Sequence, residues 1–179
     1  ADIHIPLRPG TNGAVVNAMQ QVLVADGLLD EDFIQRHAEN FDAAVEVLDG
    51  RTPEWAAQLS GVPAETIRAA AHLYASGKAS QILWGLGVTE ACHGTVTAFG
   101  LINMAVMTGN LGRPGTGASP IRGQNNVQGA CDMGTLPNVF SDYRPVDDPQ
   151  ARQDHERVWG VVPPTQAGFK IPEMFEAAR

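Results

Sequence analysis

The sequence predicts an α/β domain with a mostly parallel sheet, because one pattern occurs in it twice. The alternating apolar residues Ile3, Ile5 and Leu7 run through the polar turn Pro9-Gly10-Thr11-Asn12-Gly13 into a helically periodic stretch. Further on, Gln81-Ile82-Leu83-Trp84 reads as a short buried strand that runs through Gly85-Leu86-Gly87-Val88-Thr89-Glu90 into a second apolar helix. Strand, Gly-rich turn, helix, with only helical segments between the two copies, is the order in which parallel strands are joined. Ligands of such sheets sit beyond the carboxyl ends of the strands, so the two turns are the first places to look for a site. The expected architecture is a Rossmann-like three-layer domain over residues 1–120, incomplete, with further strands of its sheet upstream of Ala1. A Gly-rich ligand loop and the beginning of a next domain are expected over 121–179.

Each element has its own local reason. Val15, Val16, Met19, Val22 and Leu23 recur at helical spacing and close near Gly27. Asp30 is placed to cap a short helix through Phe33 and Ile34, and Phe41 to Leu48 reads as another. Thr52-Pro53-Glu54 combines a cap, a proline at the first helical position and an acid in the first turn. Pro63 to Ser76 gives a longer helix ended by Gly77, and Thr95 to Thr108 an apolar one ended by Gly109. From Gly109 to Gly134 seven glycines fall in 26 residues, too many for helix or regular strand, so a long loop is expected. Beyond Ser141 the charged stretch around Asp147-Asp148-Pro149 to Arg157 reads as a linker, with a short helix from Pro172 to Ala178.

Charge narrows the partners. A net charge of −8 argues against nucleic acid and anionic membranes, which are met by basic patches. The most apolar stretch, Ala98 to Thr108, is too short to span a bilayer, so no membrane contact is expected of this piece and a cytoplasmic location is preferred. Between Ala91 and Cys131 there is no Asp or Glu, while Arg113 and Arg122 lie inside, so an island suited to an anion sits in an acidic chain. Cys92 and Cys131 stand far apart, and His4, His37, His72, His93 and His155 show no ligand spacing, so no metal site is expected from this chain's own residues.

The turn at Gly85 and Gly87 has the beginning of a dinucleotide fingerprint but carries Glu90 where its last glycine belongs, and no acid follows about 20 residues on. A nicotinamide dehydrogenase is therefore poorly supported. The richer segment is Arg122-Gly123-Gln124-Asn125-Asn126-Val127-Gln128-Gly129. Amides offer donors and acceptors together, as a fused nitrogen heterocycle requires, and the glycines add backbone donors. Arg122 brings a planar fork suited to a carboxylate or phosphate, although a surface arginine or a distant ion pair would read the same way.

Gly85 to Thr89, Thr108-Gly109-Asn110-Leu111-Gly112-Arg113-Pro114 and above all Arg122 to Gly134 resemble the formate dehydrogenase alpha subunits of the molybdopterin oxidoreductase family, and the likeness runs over nearly the whole chain. The resemblance implies a molybdopterin guanine dinucleotide carrying molybdenum or tungsten, with formate oxidised to carbon dioxide. Leu7 to Asn12 is similar to that family's loop at the nucleotide end, which implies contacts from Gly10, Thr11 and Asn12, the last standing where Asp is commoner. Gly85, Gly87, Thr89, Gly123, Gln124, Asn125, Asn126 and Gln128 would hold the pterin, as would Glu90, which stands where relatives often carry Gln. Arg122 would orient the substrate carboxylate. The 4Fe-4S cluster of the full subunit, the metal ligand, the rest of the same subunit and an electron-acceptor subunit or domain would all lie outside this chain, leaving it inactive alone. A non-catalytic pterin-binding regulator or chaperone, or another molybdopterin oxidoreductase, shares much of this pattern.

Overall fold

Val15 and Val16 are neighbours in sequence, yet they belong to two different cores. Both lie on α1 (Asn12–Ala25), which is buried on opposite sides and organises everything around it. One core joins Val15 and Ala18 to Ala56, Val62 and Ile67; the other joins Val16 and Leu23 to Leu48, Met104 and Met107. The computed structural model describes all 179 residues, in two units, 1–121 and 122–179.

In the first unit α1 is followed by α2 (Glu31–His37), α3 (Phe41–Val47), α4 (Pro53–Ser60), α5 (Ala64–Ser76), β1 (Gln81–Trp84), α6 (Leu86–Thr89), α7 (Gly94–Met107) and β2 (Gly117–Pro120). Helix α1 packs on α4, α5 and α7. Its partnership with α7 runs parallel. Gly13 lies against Thr97, Gly100 against Val16 and Gln20, and Leu23 shares a core with Met104 and Met107. A Cβ on Gly100 would stand 2.9 Å from Val16 Cγ1 and 3.2 Å from Gln20 Nε2, so the absence of a side chain sets how closely the helices approach. Strands β1 and β2 pair in parallel, from Gln81 opposite Gly117 to Trp84 opposite Pro120, and Ile121 N–H extends the ladder to the Trp84 carbonyl at 2.7 Å.

A parallel sheet agrees with expectation, although the partner of β1 is not the expected opening strand, and three local expectations need correction. Ile3, Ile5 and Leu7 do alternate inward, and Ile5 and Leu7 pack on the first core, but residues 1–8 form no strand. Their backbone has no neighbouring strand to pair with; Arg8 N–H instead donates to the Ser60 carbonyl at the end of α4. The stretch from Gly109 to Gly134 is not a continuous loop, since it contains β2 and the helix α8 (Val127–Asp132). Gly-Ala-Ser-Pro carries almost no intrinsic strand preference, and its conformation comes from pairing with β1. Finally, the charged stretch after Asp147 is not a linker but the helix α9 (Pro149–Trp159). Asp148 caps it, Pro149 opens it and Gly160 closes it at φ +69°.

The second unit is completed by a 3-10 turn η1 (Ser141–Tyr143) and α10 (Ile171–Ala177). Its small core is Phe140, Val146 and Ala151. Helix α9 is fastened by Asp154, which accepts from Arg144 at 2.9 Å, and by His155, which stacks on Phe140 at 4.5 Å between ring centres.

Candidate functional site

Helix starts divide this chain into two kinds. Asp30, Thr52 and Asp148 accept from amides in the first turns of α2, α4 and α9, Glu173 closes the start of α10, and α3 and α5 carry an acid in their first turns. By contrast α1, α6, α7 and α8 have neither a side-chain cap nor an acid there. The two long ones, α1 and α7, run parallel and begin side by side through Gly13 and Thr97, so two helix dipoles present their positive ends at one edge of the first unit.

Gly10, Thr11 and Asn12 form that edge at α1. Gly10 turns the chain at φ +85° with open space around it, the Thr11 hydroxyl donates to the Arg8 carbonyl at 2.6 Å, and the Asn12 side chain has no partner in the chain. Arg8 anchors the turn, its guanidinium donating to the carbonyls of Gln58 and Leu59. Gly85, Gly87, Thr89 and Glu90 form the edge near α7. Gly85 and Gly87 also face open space, and the Thr89 carbonyl lies so close to Gly94 that no Cβ fits there, which fixes the corner between α6 and α7. Glu90 is exposed with no ion pair. Trp84, the last residue of β1, is buried with its indole N–H lacking an acceptor.

The two arginines of the acid-free stretch have opposite fates. Arg113 is fully engaged, donating to the carbonyls of Lys78 and Gly109 and to Asn110 Oδ1. Arg122, which opens the second unit, has no hydrogen bond, ion pair or ring partner, and is the single arginine of the chain in that state. Gly123, Gln124, Asn125 and Asn126 follow it, all exposed, and none of the three amides has a hydrogen-bond partner. Asn126 sits in the left-handed region at φ 52° and starts α8. Gln128 is held: its Nε2 donates to Asp132 Oδ1 at 3.2 Å and lies 3.5 Å from the Tyr143 hydroxyl. The carboxylate of Asp132 beside that phenol pushes its pKa above the ordinary value, helped by desolvation, while the charge of Arg122 acts on it in the opposite sense. Asp132 and Tyr143 are additions that sequence reasoning missed, since Tyr143 lies in the stretch expected to be linker.

The sequence profile described as molybdopterin oxidoreductase matches residues 1–177. The chain belongs to the molybdopterin oxidoreductase family. It is 44% identical over 175 residues to formate dehydrogenase H of Escherichia coli, covering 97% of this chain and 24% of that protein. To the alpha subunit of the F420-dependent formate dehydrogenase 1 of Methanococcus maripaludis it is 44% identical over 178 residues, covering 99% of this chain and 26% of the other. A nitrate reductase of Synechocystis is 32% identical over 178 residues, 98% of this chain and 25% of that protein. This molybdopterin oxidoreductase chain thus spans about a quarter of the length of the curated relatives it matches. In fold it is similar to acetylene hydratase from Pelobacter acetylenicus, with a TM-score of 0.59 over 64% of this chain and 16% of the other, at 24% identity. Membership implies a molybdopterin cofactor with molybdenum or tungsten. No helix of the chain is long and apolar enough to cross a membrane.

Proposed function

We propose that this chain forms the part of a formate dehydrogenase catalytic subunit that holds a molybdopterin guanine dinucleotide and orients formate. The observation that carries the reading is Arg122, an exposed guanidinium left without a partner beside three unpartnered amides, in a chain 44% identical to formate dehydrogenases over almost its whole length. A planar cation with free donors is what a carboxylate needs in order to be held in one orientation.

The residues present fit the dinucleotide. Its phosphates are anions, and the uncapped, acid-free starts of α1 and α7 supply amide donors and positive dipole ends for them. Gly10, Thr11 and Asn12 are assigned to the nucleotide end. Gly85, Gly87, Thr89 and Glu90, with Gly123, Gln124, Asn125, Asn126 and Gln128, are assigned to the pterin, whose carbonyl and amino edges call for donors and acceptors together. Glu90, when ionised, brings acceptors only and therefore suits an N–H edge. The bound metal supplies the two-electron oxidation of formate to carbon dioxide, which also releases one proton. Arg122 holds the carboxylate so that the C–H bond is presented in one direction, converting binding into orientation. On this reading β1 and β2 are two strands of a larger Rossmann-like three-layer sheet. The 4Fe-4S cluster and the electron-acceptor subunit engage other parts of the polypeptide, and the enzyme is cytoplasmic.

The test is Arg122→Ala in the intact subunit. Metal and pterin content should stay at the wild-type level while formate turnover falls by about 10²-fold or more. Arg122→Lys should recover only part of the loss, because the ammonium cannot make two parallel bonds. Undiminished formate turnover in the alanine variant would remove Arg122 from the role, and turnover of nitrate without formate in the wild type would replace the substrate.

A further inference from the structure

The hydrogen bonds of Gln128 determine which end of its amide faces outward. An ionised carboxylate can only accept, so the Asp132 oxygen 3.2 Å away requires the nitrogen of the Gln128 amide, and not its oxygen, to point toward it. The same nitrogen has a second hydrogen, and the Tyr143 hydroxyl at 3.5 Å lies on that side. Both donors of the amide are thus turned inward, and its carbonyl oxygen is the atom left for anything outside.

Tyr143 is brought there by an unusual piece of backbone. Asp142 and Tyr143 are consecutive non-glycine residues with φ of 63° and 55°, in the left-handed region that L side chains rarely adopt. The turn begins at Ser141, whose hydroxyl bonds to His155 on α9 at 3.2 Å, and ends at Arg144, which donates to Asp154 on the same helix at 2.9 Å. Helix α9 therefore clamps the turn on both sides of the strained pair. The phenol presented by this arrangement reaches the Gln128 and Asp132 side chains on α8, and the charge of Arg122 is felt at its hydroxyl.

We infer that Tyr143 and Asp132 are positioning residues that hold Gln128 as an acceptor, so that its carbonyl oxygen takes an N–H of the pterin. This rests on the assignment of Gln128 to the pterin made above, and it adds a direction: Gln128 recognises a donor edge, an amino group or a ring N–H, and cannot serve a carbonyl edge while Asp132 is ionised. Tyr143 acts through Gln128 and touches no ligand itself.

The experiment is a double-mutant cycle on the intact subunit, read as pterin per protein after denaturation and oxidation of the released cofactor to its fluorescent form, with the thermal midpoint measured alongside. Tyr143→Phe keeps the ring and removes the hydroxyl; Asp132→Asn lets the Gln128 amide turn over. Each should lower pterin retention by about three- to tenfold, the worth of one hydrogen bond in a wet site. Gln128→Ala should lower it as much, and adding Tyr143→Phe to Gln128→Ala should lower it no further. An additive loss in the double variant would make Tyr143 a merely structural residue and overturn the inference, as would wild-type retention in Tyr143→Phe or in Gln128→Ala. Should Tyr143→Phe fail to fold, Asp132→Asn carries the same cycle. A wild-type subunit without any pterin would instead overturn the assignment on which the inference rests, and the two failures are told apart by that control.

Discussion

Asn110 is 1% exposed and holds three segments together. Its Oδ1 accepts from Ser80 N–H at 3.0 Å and from Arg113 Nη2 at 3.2 Å, and its Nδ2 donates to the Thr108 hydroxyl at 2.9 Å. Arg113 adds a bond of 2.6 Å to the Lys78 carbonyl, so the two residues fix the entry into β1 against the exit from α7. The amide-rich, acid-free stretch that suggests an anion site therefore splits by burial: its first half is framework, and Arg122 with the amides after it is left open. Asn110→Ala should destabilise the chain by about 2–3 kcal/mol, because it strands the half-buried Ser80 N–H and an Arg donor as well as losing its own bonds. Thermal denaturation reads this directly. Asn110→Asp should recover part of the loss, since a carboxylate still accepts from Ser80 and Arg113; equal losses in both variants would show that the bonds accepted from Ser80 and Arg113 are not what holds these segments.

At the level of elements, the parallel pair α1 and α7 gives the first unit its anion-favouring edge, and Gly100 sets their separation. Gly100→Ala gains about 1 kcal/mol of helix propensity but drives a methyl against Val16 Cγ1, where overpacking costs about 1–3 kcal/mol and a β-branched side chain has no free rotamer to retreat into. A net loss of up to about 2 kcal/mol is expected in chemical denaturation, and Val16→Ala in the same chain should lessen the penalty of the added methyl. If Gly100→Ala is more stable than the wild type, the close approach is not what sets the helix spacing. Elements of this kind were legible in the sequence wherever local chemistry decides them. The caps at Asp30 and Thr52, the stop at Gly109 and the strand before Gly85 all lie where their residues point. What escaped was decided at a distance. Gly117 to Pro120 is a strand only because β1 lies beside it, and Ile3 to Leu7 is not one because nothing does. Helix α9 escaped for another reason, since its cap, proline and terminal glycine were present but its almost wholly polar surface hid the period. The same division runs through the site: Arg122 and the amides stand out by type, whereas the link from Tyr143 to Gln128 depends on a left-handed turn that no residue of Ser-Asp-Tyr announces.

Taken as a whole, the chain leaves apolar surface in water that its own residues do not cover. On α7, Val96 is 68% and Phe99 61% exposed, with Ile102 one turn further on the same face, and Leu83 of β1 is exposed as well. Side chains at this spacing form a stripe, and the buried side of α7 is already occupied by Gly100, Met104 and Met107 against α1. Isolated apolar residues on a surface are ordinary, but an aligned row of large ones is a surface that packs against further protein when any is within reach. The 179-residue chain in solution should therefore self-associate, its weight-average mass in sedimentation equilibrium rising above 19.0 kDa with concentration. Replacing Val96 with Lys and Phe99 with Glu should hold it at the single-chain mass. Thermal midpoint at low concentration should not change, because neither side chain contributes to the two cores. A wild-type chain that stays at single-chain mass over the same range would mean that the stripe is too narrow to drive association. A variant that melts early would mean that these side chains support α7 itself.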